Sequence, residues 1–274
     1  MSKINEHFVP KTYMRGWTKD GNSVYELNLK TREISRVNID RINCYIDLYE
    51  TPEIEDSKLH IEKDFSKYEN EFRKLLDRVE NSQIKLTDSG KISKSEKEEL
   101  ARAIAVMFCR NLDIMPFITD IIGGVKSNYN QQTIAESIHD NAERANMTKK
   151  ERDDFSKYVL SYCSITPDSV NIDSLTSTIT QCNCALLYSE HRDFMFSNLP
   201  VYISKEESKF YMPLSPKWAV LFSKEFDDGT IQSVNADMYN CMLNANLFCK
   251  YIYASELDDF NNFNTLDANL LNIL

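Results

Sequence analysis

Glycine is scarce in this chain, with six in 274 residues. A loop that cradles phosphate needs glycine at several fixed positions so that the backbone can approach the oxygens. Gly123-Gly124 stands alone, so neither a P-loop nor a dinucleotide fingerprint is present. No stretch reaches the roughly 20 apolar residues that cross a bilayer. The opening Met1-Ser2-Lys3-Ile4-Asn5-Glu6 shows no apolar run behind a basic segment, which makes the cytoplasm the expected location and a membrane partner unexpected. The cysteines are seven, an odd number, and scattered. Cys182 and Cys184 are separated by one residue rather than the two usual for structural zinc, so reduced thiols and no metal site are expected. Neither a serine nucleophile elbow nor a Cys-His signature occurs. Of the four histidines, His60 and His191 have an acid two residues on (Glu62 and Asp193), a pattern that reads as ordinary surface contact rather than metal ligation. Nothing names a cofactor.

What is present is charge, unevenly distributed. The chain carries a formal −10, which disfavours indiscriminate binding to nucleic acid. Residues 1–41 nevertheless hold eight Lys or Arg against five Asp or Glu, a local +3 that leaves −13 for the rest. Phe8, Tyr13, Trp17 and Tyr25 interleave with these cations, so a local contact with an anionic small molecule or nucleic acid is one reading. A solvated hairpin with its aromatics in the core is the other.

Periodicity gives the organisation. Asp20-Gly21-Asn22 is a turn signal, and the alternating run Val24–Leu29 followed by Glu33–Val37 predicts a β-hairpin within residues 1–50. Beyond residue 56, Ile61, Phe65, Tyr68, Phe72, Leu75 and Val79 recur at helical spacing. Ser93-Lys94-Ser95-Glu96 opens a second helix with a capping box and places Leu100, Ile104, Met107 and Phe108 on one side. Helices are also expected over 131–146, 149–163 and about 172–188, the last with a strand as its alternative. Short extended pieces follow over 192–230, then a final helix over 235–250 and an acidic tail over 256–274. The expected fold is therefore α+β and mainly helical: one domain over 1–255 with a helical core (56–188), the late strands forming a small sheet with the N-terminal hairpin. The sequence leaves the oligomeric state open.

Arg110 closes an apolar helix, where a guanidinium must find a carboxylate, a carbonyl or a ligand anion. Arg110-Asn111-Leu112-Asp113-Ile114-Met115-Pro116 begins the Arg–polar–His pattern of helical RNA-cleaving toxins and lacks the histidine. A cap with a buried ion pair is the competing account.

The stretch His7-Phe8-Val9-Pro10-Lys11-Thr12-Tyr13-Met14-Arg15-Gly16-Trp17 resembles the opening signature of the bacterial domain of unknown function numbered 4238. In order follow an acidic helix around Glu62, the helix ending in Arg110, Phe196-Ser197-Asn198-Leu199-Pro200-Val201, Pro213-Leu214-Ser215-Pro216, and the Asn240 helix leading to Tyr253-Ala254-Ser255. The resemblance implies a set of residues rather than a reaction: His7 and Glu62 as catalytic candidates, and Arg15, Arg110, Asn198, Ser215 and Asn240 as ligand-binding candidates. The chain departs from the pattern at Asn198, where such proteins commonly have Ser or Thr followed by Asp; an amide cannot replace a general base or a charged ligand. If the N-terminal segment packs on the late strands, one pocket with two arginines and a histidine results, suited to phosphate or carboxylate. The expectations that follow are a hydrolase of phosphodiesters or nucleotides, nuclease-like and of the phage-defence or toxin kind. The alternative is a non-enzymatic module that recognises an anionic ligand, a peptide or a protein partner.

Overall fold

A computed structural model describes residues 5–46, 61–111, 170–204, 209–245, 249–261 and 263. The helices expected over 131–146 and 149–163 lie outside these residues. Two β-sheets of five and four strands, rather than a helical core with a small sheet, organise the described chain. The expectation of a mainly helical fold is therefore corrected.

The four-stranded sheet runs β3–β2–β11–β6, with β2 Ser23–Asn28, β3 Ile34–Asn38, β6 Phe196–Ser197 and β11 Tyr251–Ala254, all antiparallel. Its hairpin starts where the Asp20 carboxylate accepts the backbone N–H groups of Asn22 and Ser23 at 2.9 and 2.7 Å around Gly21, whose φ of +79° is glycine territory. At the other end Asn28 Oδ1 accepts from Lys30 and Thr31. The hairpin does not join the late strands as a group. It takes only β6 and β11, and β11 lies on β2 with Tyr253 opposite Glu26.

The five-stranded sheet has the order β10–β5–β9–β8–β7: β5 Asn183–Tyr188, β7 Tyr202–Ile203, β8 Lys209–Pro213, β9 Trp218–Ser223 and β10 Thr230–Ser233. Only β10–β5 is parallel. Its inner strands β5, β9 and β8 are buried on both faces. Cys184, Leu186, Val220, Phe222, Phe210 and Met212 face one hydrophobic cluster, while Ala185, Leu187, Ala219, Leu221 and Tyr211 face another. A strand covered on both sides reads as an unbroken apolar run, which periodicity alone cannot tell from helix. The stretch 172–188, which reads as a helix with a strand as its alternative, contains both: it divides into α4, Val170–Thr180, and β5.

Before these come the strands β1, Asn5–His7, and β4, Cys44–Ile46, which pair as a short antiparallel ribbon, and the single turn α1, Lys11–Met14. The amphipathic helix α2, Ile61–Glu80, buries Tyr68, Phe72, Leu75, Leu76 and Val79 along one seam. Helix α3, Lys94–Cys109, is buried continuously from Ala103 to Cys109, the pattern of a helix covered on every side. Only half of its expected capping box forms. Ser93 accepts from the Glu96 N–H at 3.4 Å, but the Glu96 carboxylate, 1 % exposed, turns to Arg78 at 3.0 Å. The final helix α5, Ala236–Ala245, is shorter than expected because the chain re-enters the sheet as β11. Beyond β11 the acidic stretch is anchored by a 3-10 turn, Leu257–Phe260, in which Glu256 and Asp259 cap each other and Phe260 is buried. Among the described residues no helix is long and apolar enough to cross a membrane.

Candidate functional site

The N-terminal motif folds against the late strands, and its aromatic side chains make the connection. Pro10 starts α1, whose single turn and 3-10 continuation set Tyr13 and Trp17 into the core, both 0 % exposed. The Tyr13 hydroxyl donates to the Pro213 carbonyl at 2.7 Å and the Trp17 indole N–H to the Phe194 carbonyl at 2.8 Å. Their rings pack on Phe196, and Tyr13 also on Phe72. A buried hydroxyl or indole needs a partner, so these two bonds fix where residues 8–17 sit.

The residues singled out from the sequence fall into two groups and two outliers. At the end of α3 the Arg110 guanidinium, 2 % exposed, donates to Glu69 at 2.7 Å and to the His7 carbonyl at 2.7 Å. The neighbouring Asn111 amide donates to the Asn198 carbonyl at 2.7 Å, so His7, Arg110 and Asn198 lie within one set of contacts. The His7 ring is buried with Nε2 at 3.1 Å from the Ile39 carbonyl. Burial lowers its pKa, and the nearby Lys11 and Arg110 charges act in the same direction. Asn198 uses Oδ1 to accept two backbone N–H groups, from Lys250 at 2.9 Å and Tyr251 at 3.1 Å, which locks the start of β11.

The second group lies at the other end of the late strands. Asn240 accepts from the Met195 N–H at 2.8 Å and donates to the Asp193 carbonyl at 3.1 Å. Ser215 sits in the β8–β9 turn, its backbone exchanging bonds with Trp218, and Pro216 next to it accepts from the Phe194 N–H at 2.7 Å. Arg15 is exposed to solvent and belongs to neither group. Glu62 falls on a stretch of α2 whose side chains are outside the described ones.

A cleft of about 880 Å³ opens beside the first group, between the loop 41–44, the hairpin and β11. Its lining grades in polarity with depth. Arg36, Arg41 and Lys250 are exposed cations, Glu26 and Tyr251 are half-buried, and Asn43 and Tyr253 are buried. Arg36 is paired with Asp20 at 2.6 Å. Asn43 takes φ +52°, a left-handed conformation Asn tolerates, and its Oδ1 accepts the Tyr253 hydroxyl at 3.2 Å. The Glu26 carboxyl, opposite Tyr253 across the β2–β11 pairing, lies beside the same hydroxyl, and burial raises its pKa. Burial also drives the Tyr253 hydroxyl far above its ordinary range. Among the described residues no group of three or more His, Cys, Asp or Glu is disposed to hold a metal ion.

Sequence reasoning reached Asn198 in this lining and missed Glu26, Arg41, Asn43, Lys250, Tyr251 and Tyr253 as a set. The available signals were the basic excess of residues 1–41 and the Tyr253-Ala254-Ser255 segment. Their meeting depends on β2–β11 pairing across more than 200 residues, which has no local signature.

Fold and cleft together define an α+β protein with a five-stranded and a four-stranded sheet, a buried helix, and a polar cleft between the loop 41–44 and β11. Residues 5–258 match the model of a family described as a protein of unknown function, DUF4238, and the chain belongs to that family. No curated protein and no solved structure matches it.

Proposed function

We propose that the chain is a recognition module that binds an anionic small molecule in the cleft between the loop 41–44 and β11. The observation that carries this reading is the lining: exposed Arg41 and Lys250 at the mouth, an ionisable carboxyl at Glu26, and the half-buried ring of Tyr251. Cations at a mouth draw an anion in, and convergent polar groups on aromatic walls hold what accompanies it. The competing reading, hydrolysis of a phosphodiester or nucleotide with His7 as acid or base, draws on the same anion chemistry. Against it stand the partners already in use. His7 Nε2 is held by the Ile39 carbonyl, and Arg110 by Glu69 and the His7 carbonyl.

Isothermal titration with pyrophosphate tests the reading. Saturable binding is expected, weakened about ten-fold by Arg41→Ala and by Lys250→Ala, since each removes a charge-assisted contact worth roughly 1.5 kcal/mol. Absence of saturable binding rejects it. Steady phosphate release from nucleotides that disappears in His7→Gln would instead favour the hydrolase.

A further inference from the structure

The cleft has a polarity that a site for a bare anion does not need. Its exposed cations have no use for a carboxyl beside them, because a negative group lowers anion affinity by Coulomb repulsion. Glu26 nevertheless sits in the lining, half-buried on the central strand β2, opposite Tyr253 on β11. Among the described residues it joins no ion pair that would account for it, and the polar group beside it is the Tyr253 hydroxyl. That hydroxyl has one proton, and it donates it to Asn43 Oδ1 at 3.2 Å. A carboxylate, which can accept about four hydrogen bonds, therefore keeps acceptor capacity toward the cleft.

The ligand must then carry donors at one end and negative charge at the other. An ionised carboxylate has two oxygens side by side and no proton to give, so it is matched by two adjacent N–H donors. Among the common nucleobases guanine presents such an edge, a ring N–H next to an exocyclic amine. Adenine, cytosine and uracil alternate donor with acceptor there, and an acceptor would face a carboxylate lone pair. The Tyr251 ring offers a half-buried face on which a planar base can stack. The cleft volume, about 880 Å³, lies in the range that takes nucleotide-sized ligands.

Resting on the reading of the cleft as an anion site, we infer that Glu26 selects a guanine mononucleotide: its carboxylate accepts the two N–H donors of the base, the base lies against Tyr251, and the phosphates meet Arg41 and Lys250. Asn43 and Tyr253 position the carboxylate and are not themselves readers of the base.

The test is titration of the full chain and of Glu26→Gln with GDP, ADP, UDP and pyrophosphate. GDP is expected to bind about ten-fold or more tighter than ADP and UDP, the discrimination that a bidentate base contact gives. Glu26→Gln should bring GDP to the level of ADP while pyrophosphate binds at least as tightly as before, since a negative group beside the cations is removed. Arg41→Ala, at an exposed position where misfolding is not expected, should weaken all four ligands alike and leave the GDP preference intact. Equal binding of the three nucleotides by the unmodified chain, or a GDP preference that survives Glu26→Gln, overturns the guanine inference while the anion site stands. Failure of every ligand, pyrophosphate included, removes the anion site itself.

Discussion

Replacing Arg110 by Ala separates a structural from a ligand-binding role for the residue that closes α3. In the fold its guanidinium is 2 % exposed and makes two bonds of 2.7 Å, to the Glu69 carboxylate and the His7 carbonyl. Removing it leaves a buried carbonyl without this donor and a carboxylate without its counter-charge. Glu69 is 23 % exposed, so water recovers part of that loss. Breaking a buried pair from one side costs about 3–5 kcal/mol, and this partial exposure puts the expectation near the lower figure. For a chain of this size that lowers Tm by roughly 6–12 °C. Glu69→Gln keeps an acceptor for the guanidinium and should cost only about 1 kcal/mol. Urea unfolding of both variants and of Arg110→Met/Glu69→Leu supplies the comparison. The double variant should be less destabilised than Arg110→Ala, because no charge remains buried alone. Arg110→Ala within about 0.5 kcal/mol of the unmodified chain, with pyrophosphate affinity lost, would refute the structural account and return Arg110 to the ligand.

Other perturbations follow from the same contacts. Asn198→Ala removes the acceptor of two N–H groups at the start of β11 and should cost about 2 kcal/mol, whereas Asn198→Asp keeps both bonds and should fold with near-normal stability in the same denaturation assay. Gly229 has φ +76°, and a Cβ there would lie 3.0 Å from Lys91 Cβ and 3.1 Å from the Ile92 nitrogen, so Gly229→Ala should lose about 1–3 kcal/mol by thermal denaturation. Burial, then the neighbouring Asp193 charge, raises the Asp259 pKa to about 6. The folded chain thus keeps a proton that the unfolded chain has released, and this contribution to stability is lost as pH rises from about 4 through about 6. His7, with its pKa lowered, acts in the opposite sense, since stability there falls as pH drops through the ordinary histidine range. The Asp259 effect is therefore read as a difference: Asp259→Asn should have the higher Tm at pH 7.5, by on the order of 1 kcal/mol in stability, with the gap closing toward pH 4.5. A gap that does not change with pH contradicts the assignment.

The elements with local signals were legible and those made by distant pairing were not. Asp20-Gly21-Asn22, the seam of α2 and the Ser93 cap are written into neighbouring residues, and each forms within a few residues of its expected place. The extent of β structure was legible only in part: Trp218–Ser223 lies among the extended pieces expected over 192–230, but Asn183–Tyr188, buried on both faces and without alternation, reads as helix with a strand only as its alternative. The motif residues Tyr13 and Trp17 are brought to the late strands, but the motif side chains are largely engaged with backbone. Tyr13, Trp17, Asn198 and Asn240 each satisfy buried carbonyls or N–H groups from segments far away in sequence. Such residues look like a site when listed in order, since both a clamp and a binding pocket use polar side chains at turns. The cleft-lining Glu26 and Lys250, by contrast, sit among ordinary surface charges in sequence and become neighbours only through the pairing of β2 with β11.

The most direct measurement is an amide chemical-shift titration of the isotopically labelled chain with GDP. The account predicts that the resonances of Glu26, Arg41, Asn43, Lys250 and Tyr251 move together and saturate at one midpoint. Shifts centred instead on His7, Arg15 and Ser215, with the resonances around Glu26 unmoved, would contradict it.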